Sequence, residues 1–482
     1  MQKIHRWLLI VLAQWAVYGL LILWLGFNSR FAAAHDAKPA PPNVPACLPA
    51  ATMCELPAAG LLRASIRPFA PGNVGAPDAL LDQLLLDDPT PLYNVACVNG
   101  FADMYPCHNV DLLAFLPHSL LGGYNGNDIW GWTDPLTGKE YALVGSRNGL
   151  GFVDISDPVA PRYVGRLPTQ AATSAWRGVK VYQNYALVVA DKNFKHGMQV
   201  FDLTQLRAVA SSPMTFTATA HYAGFNDAHN IAINEATGYA YATGSETCNA
   251  GGLHMIDVRD PLRPQNAGCY NEDGYIHDTQ CVLYHGPDAD YQNREICFNS
   301  SLIQISIVDV TDKSAPRRVG SVRPPGTIYI HQGWLTQDQR YFLMDDEFDE
   351  TFNQHGTRTY IIDMADLDNP VALGVYSTTL PSIDHNLFIS GTYAYEANYT
   401  TGLRVLDIQD VAGARLQEAA WFDTYPGNDE PVFTGAWGSY PFFASGVVVV
   451  NTIDRGLFIL KPTLPADFLL ETAQTTLALC RT

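Results

Sequence analysis

Charge is scarce in this 482-residue chain: charged residues make up 16%, against roughly 25% in ordinary soluble chains. Basic residues are scarcest, 29 against 48 acids, for a formal net charge of −19. Such a surface disfavours phosphate backbones and anionic lipid, so no nucleic acid is expected as a partner. Several chemical signatures are missing too. There is no GxSxG elbow, no phosphate-cradling GxxxxGK followed by Ser or Thr, and no HExxH. No CxxC occurs either, which argues against a zinc–thiolate site. Long apolar runs are confined to one place, Trp7–Phe27.

What is present points to β structure. The 38 Gly and 31 Pro supply turns, and 24 Tyr, 21 Phe and 9 Trp suit strands. Residues 1–34 read as an export segment: Lys3 and Arg6 precede the apolar run, and Ala32-Ala33-Ala34 offers a cleavage site. A signal peptide is the first reading and a retained membrane anchor the alternative. Attachment to a membrane is expected only through this segment. Residues 35–93, with APPNVPACLPA near the start, read as a Pro-rich arm or stalk. The expected location is secreted, periplasmic or cell-surface.

Export makes disulfides the default for the nine cysteines, and an odd count leaves at least one thiol over. Three pairs have a local rationale: Cys281 with Cys297 across a hairpin, Cys248 with Cys269, and Cys97 with Cys107 closing a short loop. Pairing of Cys47, Cys54 and Cys480 stays open.

A repeat organises the rest. Short β-rich runs ending in Asp recur at Asp154, Asp202, Asp257, Asp309, Asp363 and Asp407, and a seventh run, GLFILKP, carries Lys461 instead. The steps are 48, 55, 52, 54, 44 and 54 residues. Each unit divides into four strand-like runs with no 3.6-residue apolar period, so helical solenoids are excluded. Four strands per repeat of this length describe a propeller blade. The fold class is therefore all-β, a seven-bladed β-propeller of four-stranded blades over 94–464, followed by a tail, 465–482. The seventh unit lacks a fourth strand after Pro462, whereas VDLLAFLPH (110–118) directly precedes blade 1. It is expected to pair into blade 7 and close the ring. The repeat Asp residues are expected to cap turns.

The Asp-centred runs look like LVIVD repeats. With CVNGFADMYPCHNVDLL, DAHNIAI, GGLHMIDVRDP, GYIHDTQCVLYHGPD, YIHQGWLTQDQRYFLMDDEFDE, IDHNLF and ANYTTGLRVLDI, the stretch 95–462 resembles the choice-of-anchor B family of exported bacterial proteins. The resemblance implies an extracellular or surface-attached protein, and it brings no established reaction with it.

Aligning the first strand of each unit places Trp130, Trp176, His229, His277, His331, His385 and Trp437 at one position. In a propeller that position forms a ring around the channel. Loops opening on the same face carry Glu246, Asp345, Glu347 and Glu396, and Asp227, Asp278 and Asp384 stand beside the histidines. Imidazole with carboxylate suits a divalent transition metal, and carboxylates alone suit calcium. The candidate metal ligands are His229, His277, His331 and His385. The candidate ligand-binding residues are Trp130, Trp176, Trp437, Glu246, Asp345, Glu347 and Glu396. A structural role for the histidines, tying neighbouring strands, is equally open. Sequons occur at Asn299 and Asn398 and are read as unmodified.

Three functions follow. The first is a binding or scaffold propeller whose top face engages an extracellular protein, glycan or small ligand. The second is a metal-dependent enzyme using the histidine ring, with Asp345 or Glu347 activating water. The third is a purely structural surface protein.

Overall fold

The computed structural model describes residues 89–465, apart from Phe194 and Ala210. The export segment, the arm up to residue 88, Cys47, Cys54, Cys480 and the tail from 466 lie outside the described residues. No helix among the described residues is long and apolar enough to cross a membrane.

Seven antiparallel sheets form the blades. Their innermost strands are Gly126–Thr133, Arg177–Tyr182, Asn230–Asn234, Asp278–Leu283, Ile330–Leu335, Asn386–Ser390 and Ala436–Tyr440. Each packs against the next, and the seventh packs against the first, so the ring is closed. Closure uses the strand Val110–Pro117, which pairs antiparallel with Gly456–Pro462 as the fourth strand of blade 7. One sheet thus joins residues more than 300 apart in sequence, and blade 7 has no bare edge where a fourth strand was missing.

Several blades carry extra strands. Leu92–Val95 pairs onto Val110–Pro117. Tyr105–His108 pairs onto the outer strand of blade 6, with Phe101–Ala102 beyond it. Met214–Thr215 adds in parallel to blade 1.

The repeat aspartates do local work. In Asp154, Asp202, Asp257, Asp309, Asp363 and Asp407, one carboxylate oxygen accepts the N–H two residues on. This is the Asx turn that ends each third strand and starts the descent to the fourth. Fourth strands carry a glycine where the neighbouring blade comes close. A Cβ on Gly268 would stand 2.0 Å from the Lys313 carbonyl oxygen, and one on Gly320 2.1 Å from that of Leu367.

Apolar clusters lie between neighbouring blades. Phe152, Phe201 and Phe216 join blades 1 and 2, and Tyr105, Phe115, Phe422 and Phe458 join blades 6 and 7. Three disulfides are present: Cys97–Cys107, Cys248–Cys269 and Cys281–Cys297. The last pair sits directly opposite across two strands of blade 4.

Candidate metal centre

Strand register fixes which inner-strand residues are equivalent. The repeat Asp pairs with a residue at or next to the start of each second strand, as in Tyr141↔Asp154, Tyr239↔Asp257 and Tyr341↔Asp363. Two residues further on, the inner-strand partners are Trp130, Lys180, Ala232, Gln280, Trp334, Phe388 and Tyr440. They form one tier. Three residues earlier on each strand lies the upper tier: Asn127, Arg177, His229, His277, His331, His385 and Trp437.

The sequence alignment therefore needs correction in two blades. Trp130 belongs to the lower tier, and Trp176 stands one residue before Arg177. The cause is residue type: blade 1 carries the same register shift as blade 5, so Asn127 is the true counterpart of His331, and the Trp residues imitate a match one to three positions off. The four consecutive histidines and Trp437 keep their places.

The histidines form a contiguous arc. Ring centroids lie 4.3 Å apart for His229 and His277, 4.2 Å for His277 and His331, and 4.4 Å for His331 and His385. Each ring is oriented through Nδ1. That of His229 meets Asp191 Oδ2 (3.0 Å), and that of His277 the carbonyl of His331 (3.0 Å). His331 meets Asp345 Oδ1 (2.9 Å), and His385 the carbonyl of Trp437 (2.6 Å). An acceptor at Nδ1 fixes the proton there and leaves the lone pair on Nε2.

Glu347 completes the cluster from the loop above. Its Oε2 lies 4.0 Å from His331 Nε2, and its Oε1 3.6 Å from His385 Nε2. One ligand atom from each of His277, His331 and Glu347 lies within 4.8 Å of the other two. The Tyr399 hydroxyl donates to Glu347 Oε1 (2.7 Å), and its ring stacks on His385 at 4.4 Å. Neither Asp191 nor Tyr399 was singled out from the sequence. Each lies in a loop between second and third strands, and no residue pattern marks it.

Burial sets the protonation. It holds His277 and His331 well below the usual imidazole range, helped by the neighbouring rings, and pushes His385 down to about 3. It also drives Glu347 up to about 7. Asp345 is raised well above the carboxylate range by burial, with Glu396 and Glu347 adding to the effect. Burial thus favours neutral imidazoles at His277, His331 and His385 and a protonated carboxyl group at Glu347.

The remaining candidates are spread over different tasks. Asp345 accepts from His331 and from the Gln332 N–H (3.1 Å), so it orients a histidine and is not available to activate water. Glu246 is exposed and holds the backbone N–H groups of Asn226 and Asp227, away from the arc. Glu396 is buried between blades 5 and 6, accepting from Thr359 Oγ1 (2.6 Å) and Asn398 Nδ2 (3.2 Å), so it does not reach the mouth. Trp176 lies under Lys192 Nζ (4.0 Å), and Trp130 under Lys180 Nζ (4.5 Å). Trp437 stands edge-on to His385 at 5.2 Å. All three tryptophans and all four histidines line one cavity of about 70 Å³ along the channel. Asn299 and Asn398 are both buried, which bars the two sequons from modification in the folded chain.

Fold and repeats together define a seven-bladed β-propeller carrying LVIVD repeats. The LVIVD repeat matches residues 138–169, in blade 1, and 385–416, in blade 6. Among solved structures, hydrazine synthase of Kuenenia stuttgartiensis is similar at 12% identity and a TM-score of 0.50, over 73% of this chain and 98% of that one. A functionally unknown protein from Desulfotomaculum acetoxidans is similar at 12% identity and a TM-score of 0.45, over 64% and 88%. The first likeness concerns the fold alone. No curated protein matches the chain in sequence.

Proposed function

We propose that this protein is an exported propeller of the choice-of-anchor B kind whose top face holds a divalent transition metal, and that this centre is its ligand-binding site. The observation that carries the reading is the shared orientation of four imidazoles, three of them buried and that of His229 half-buried. Each has its Nδ1 turned to an oxygen, in two cases a carboxylate, as metal-bound histidines do. His277, His331 and Glu347 form the core ligand set, with His385 and His229 flanking it. Two imidazoles and one carboxylate suit zinc or ferrous iron with a position left open. Nitrogen donors do not suit calcium, which takes oxygen ligands.

The hydrogen-bonded oxygens gather at Nδ1, whereas the Glu347 oxygens facing Nε2 of His331 and His385 stand 4.0 and 3.6 Å away, beyond hydrogen-bond length. The positive ion would also keep Glu347 ionised, reversing the effect of burial. Three disulfides and the absence of a spanning helix among the described residues are compatible with an extracellular or periplasmic location.

Metal analysis of purified protein tests the reading. Near-stoichiometric zinc or iron is expected in the wild type, with less than a tenth of that in a His277→Ala/His331→Ala variant that keeps its circular dichroism. Equal metal content in both refutes it.

A further inference from the structure

What lies over the centre decides what reaches it. Phe348 follows Glu347 in the chain and touches the rings of Tyr329 (4.8 Å), Phe352 (6.3 Å) and Phe433 (5.8 Å). Phe433 stands edge-on to Tyr399 at 5.5 Å, and Tyr399 donates to Glu347. A run of aromatic rings therefore leads from the surface to the ligand carboxylate. Its outer end is open to solvent, with Phe352 67% and Phe433 37% exposed. Ile328 and Val432, each 40% exposed, add to it at chain positions next to Tyr329 and Phe433. Contiguous exposed apolar surface of this kind marks a binding surface.

Access to the centre is uneven. The side chains of Glu347 and His229 keep 13% and 16% exposure, whereas those of His331 and His385 keep 3%. Solvent therefore reaches the cluster at Glu347 and His229, and the aromatic run begins at Phe348, next to Glu347 in the chain. The exposed carboxylates Asp429 and Glu430 stand close by in the chain, and the net charge of −19 works in the same direction, against anions.

We propose that the ligand of this centre is an uncharged or cationic organic molecule bearing a flat apolar group. The apolar group packs on Phe348, Phe352 and Phe433, and a lone-pair donor atom takes the open position of the metal. The proposal rests on the metal reading above and adds the chemical class of the ligand.

The test uses protein reconstituted with Co(II), whose visible absorption reports a change of ligands. Imidazole, 4-phenylimidazole and the anionic 4-(imidazol-1-yl)benzoate are titrated in turn. Burial of about half a phenyl ring on the shelf corresponds to a gain of about tenfold. The expected result is 4-phenylimidazole at least tenfold tighter than imidazole, with the benzoate losing most of that gain. In Phe352→Ser/Phe433→Ser protein the gain falls to threefold or less, its cobalt spectrum showing that the centre is intact. Equal affinities in the wild type, or a gain retained in the variant, overturn the proposal while leaving the metal reading standing. Absence of a cobalt spectrum overturns both. A wild-type dimer in sedimentation that Phe352→Ser dissolves overturns it too, by giving the shelf a second copy of the chain as occupant.

Discussion

Replacing Asp345 separates the metal account from a structural one. Asp345 is 2% exposed, and its Oδ1 accepts both His331 Nδ1–H at 2.9 Å and Gln332 N–H at 3.1 Å. Asp345→Ala leaves two buried donors without a partner, at about 1–3 kcal/mol each, so the metal-free fold should lose about 2–6 kcal/mol. Asp345→Asn keeps a carbonyl oxygen in nearly the same place and should cost the metal-free fold about 1 kcal/mol or less. It nevertheless removes the acid behind His331, whose ionised form a bound cation would favour, and loss of such an orienting partner lowers metal affinity by about 10–100-fold. Zinc affinity by competition with a chromogenic chelator, alongside urea unfolding in excess chelator, reads the two effects separately. The prediction is a near-normal unfolding midpoint for Asp345→Asn with zinc bound at least tenfold more weakly. Unchanged zinc affinity in that variant would refute the argument that Nδ1 orientation builds the site.

Other expectations concern the fold. Phe458 is fully buried among Phe115 (4.6 Å), Tyr105 (5.2 Å) and Phe422 (5.9 Å), so Phe458→Ala should cost about 3–5 kcal/mol in urea unfolding; a loss below 1 kcal/mol would contradict the packing of blades 6 and 7. His118, just after the ring-closing strand, donates Nε2–H to the Thr452 carbonyl (2.8 Å), and burial lowers its pKa from 6.5 to about 4. The unfolded chain binds that proton first, so the contribution is complete above about pH 6.5 and is lost as pH falls toward 4, amounting to roughly 3 kcal/mol. Unfolding midpoints at pH 7 and 4.5 should therefore diverge more in the wild type than in His118→Gln, and equal divergence would count against a buried neutral imidazole.

Much of the architecture was legible because each blade repeats one chemical solution. The aspartate that ends the third strand forms an Asx turn in six blades, so counting Asp154 to Asp407 counts blades even where neighbouring residues differ. Lys461 breaks the pattern without hiding it, since GLFIL keeps the strand. VDLLAFLPH was readable as the missing outer strand because a closed ring requires one. The site was legible in part. His229, His277, His331 and His385 stand at equal depth, each followed by a strand with an undisturbed start or a matching shift. Blade 1 misled because Asn127 stands where other blades have His or Trp and Trp130, three residues on, offered the resemblance; the irregularity between Gly126 and Ile129 recurs between Ile330 and Gly333, where His331 keeps its place. In blade 2, Trp176 beside Arg177 offered a more attractive match than the true one. Loop geometry accounts for the rest. DDEFDE holds six residues of which Glu347 faces Nε2 of His331 and His385, while Asp345, two positions earlier, binds the opposite nitrogen of His331. Glu246 faces elsewhere because side-chain direction in its loop depends on turns that the composition leaves open, and Glu396 lies inside the second strand of blade 6, Tyr393–Ala397, whose pleat turns it toward Thr359 of blade 5.

The most direct measurement is anomalous diffraction at the edge of the metal that purified protein retains. The account predicts a single strong peak at the top of the channel, bonded at about 2.0–2.2 Å by His277 Nε2, His331 Nε2 and the Glu347 carboxylate. No peak at that position, or one at the neighbouring Asp349, Glu350 and Asp384 carboxylates, would contradict it.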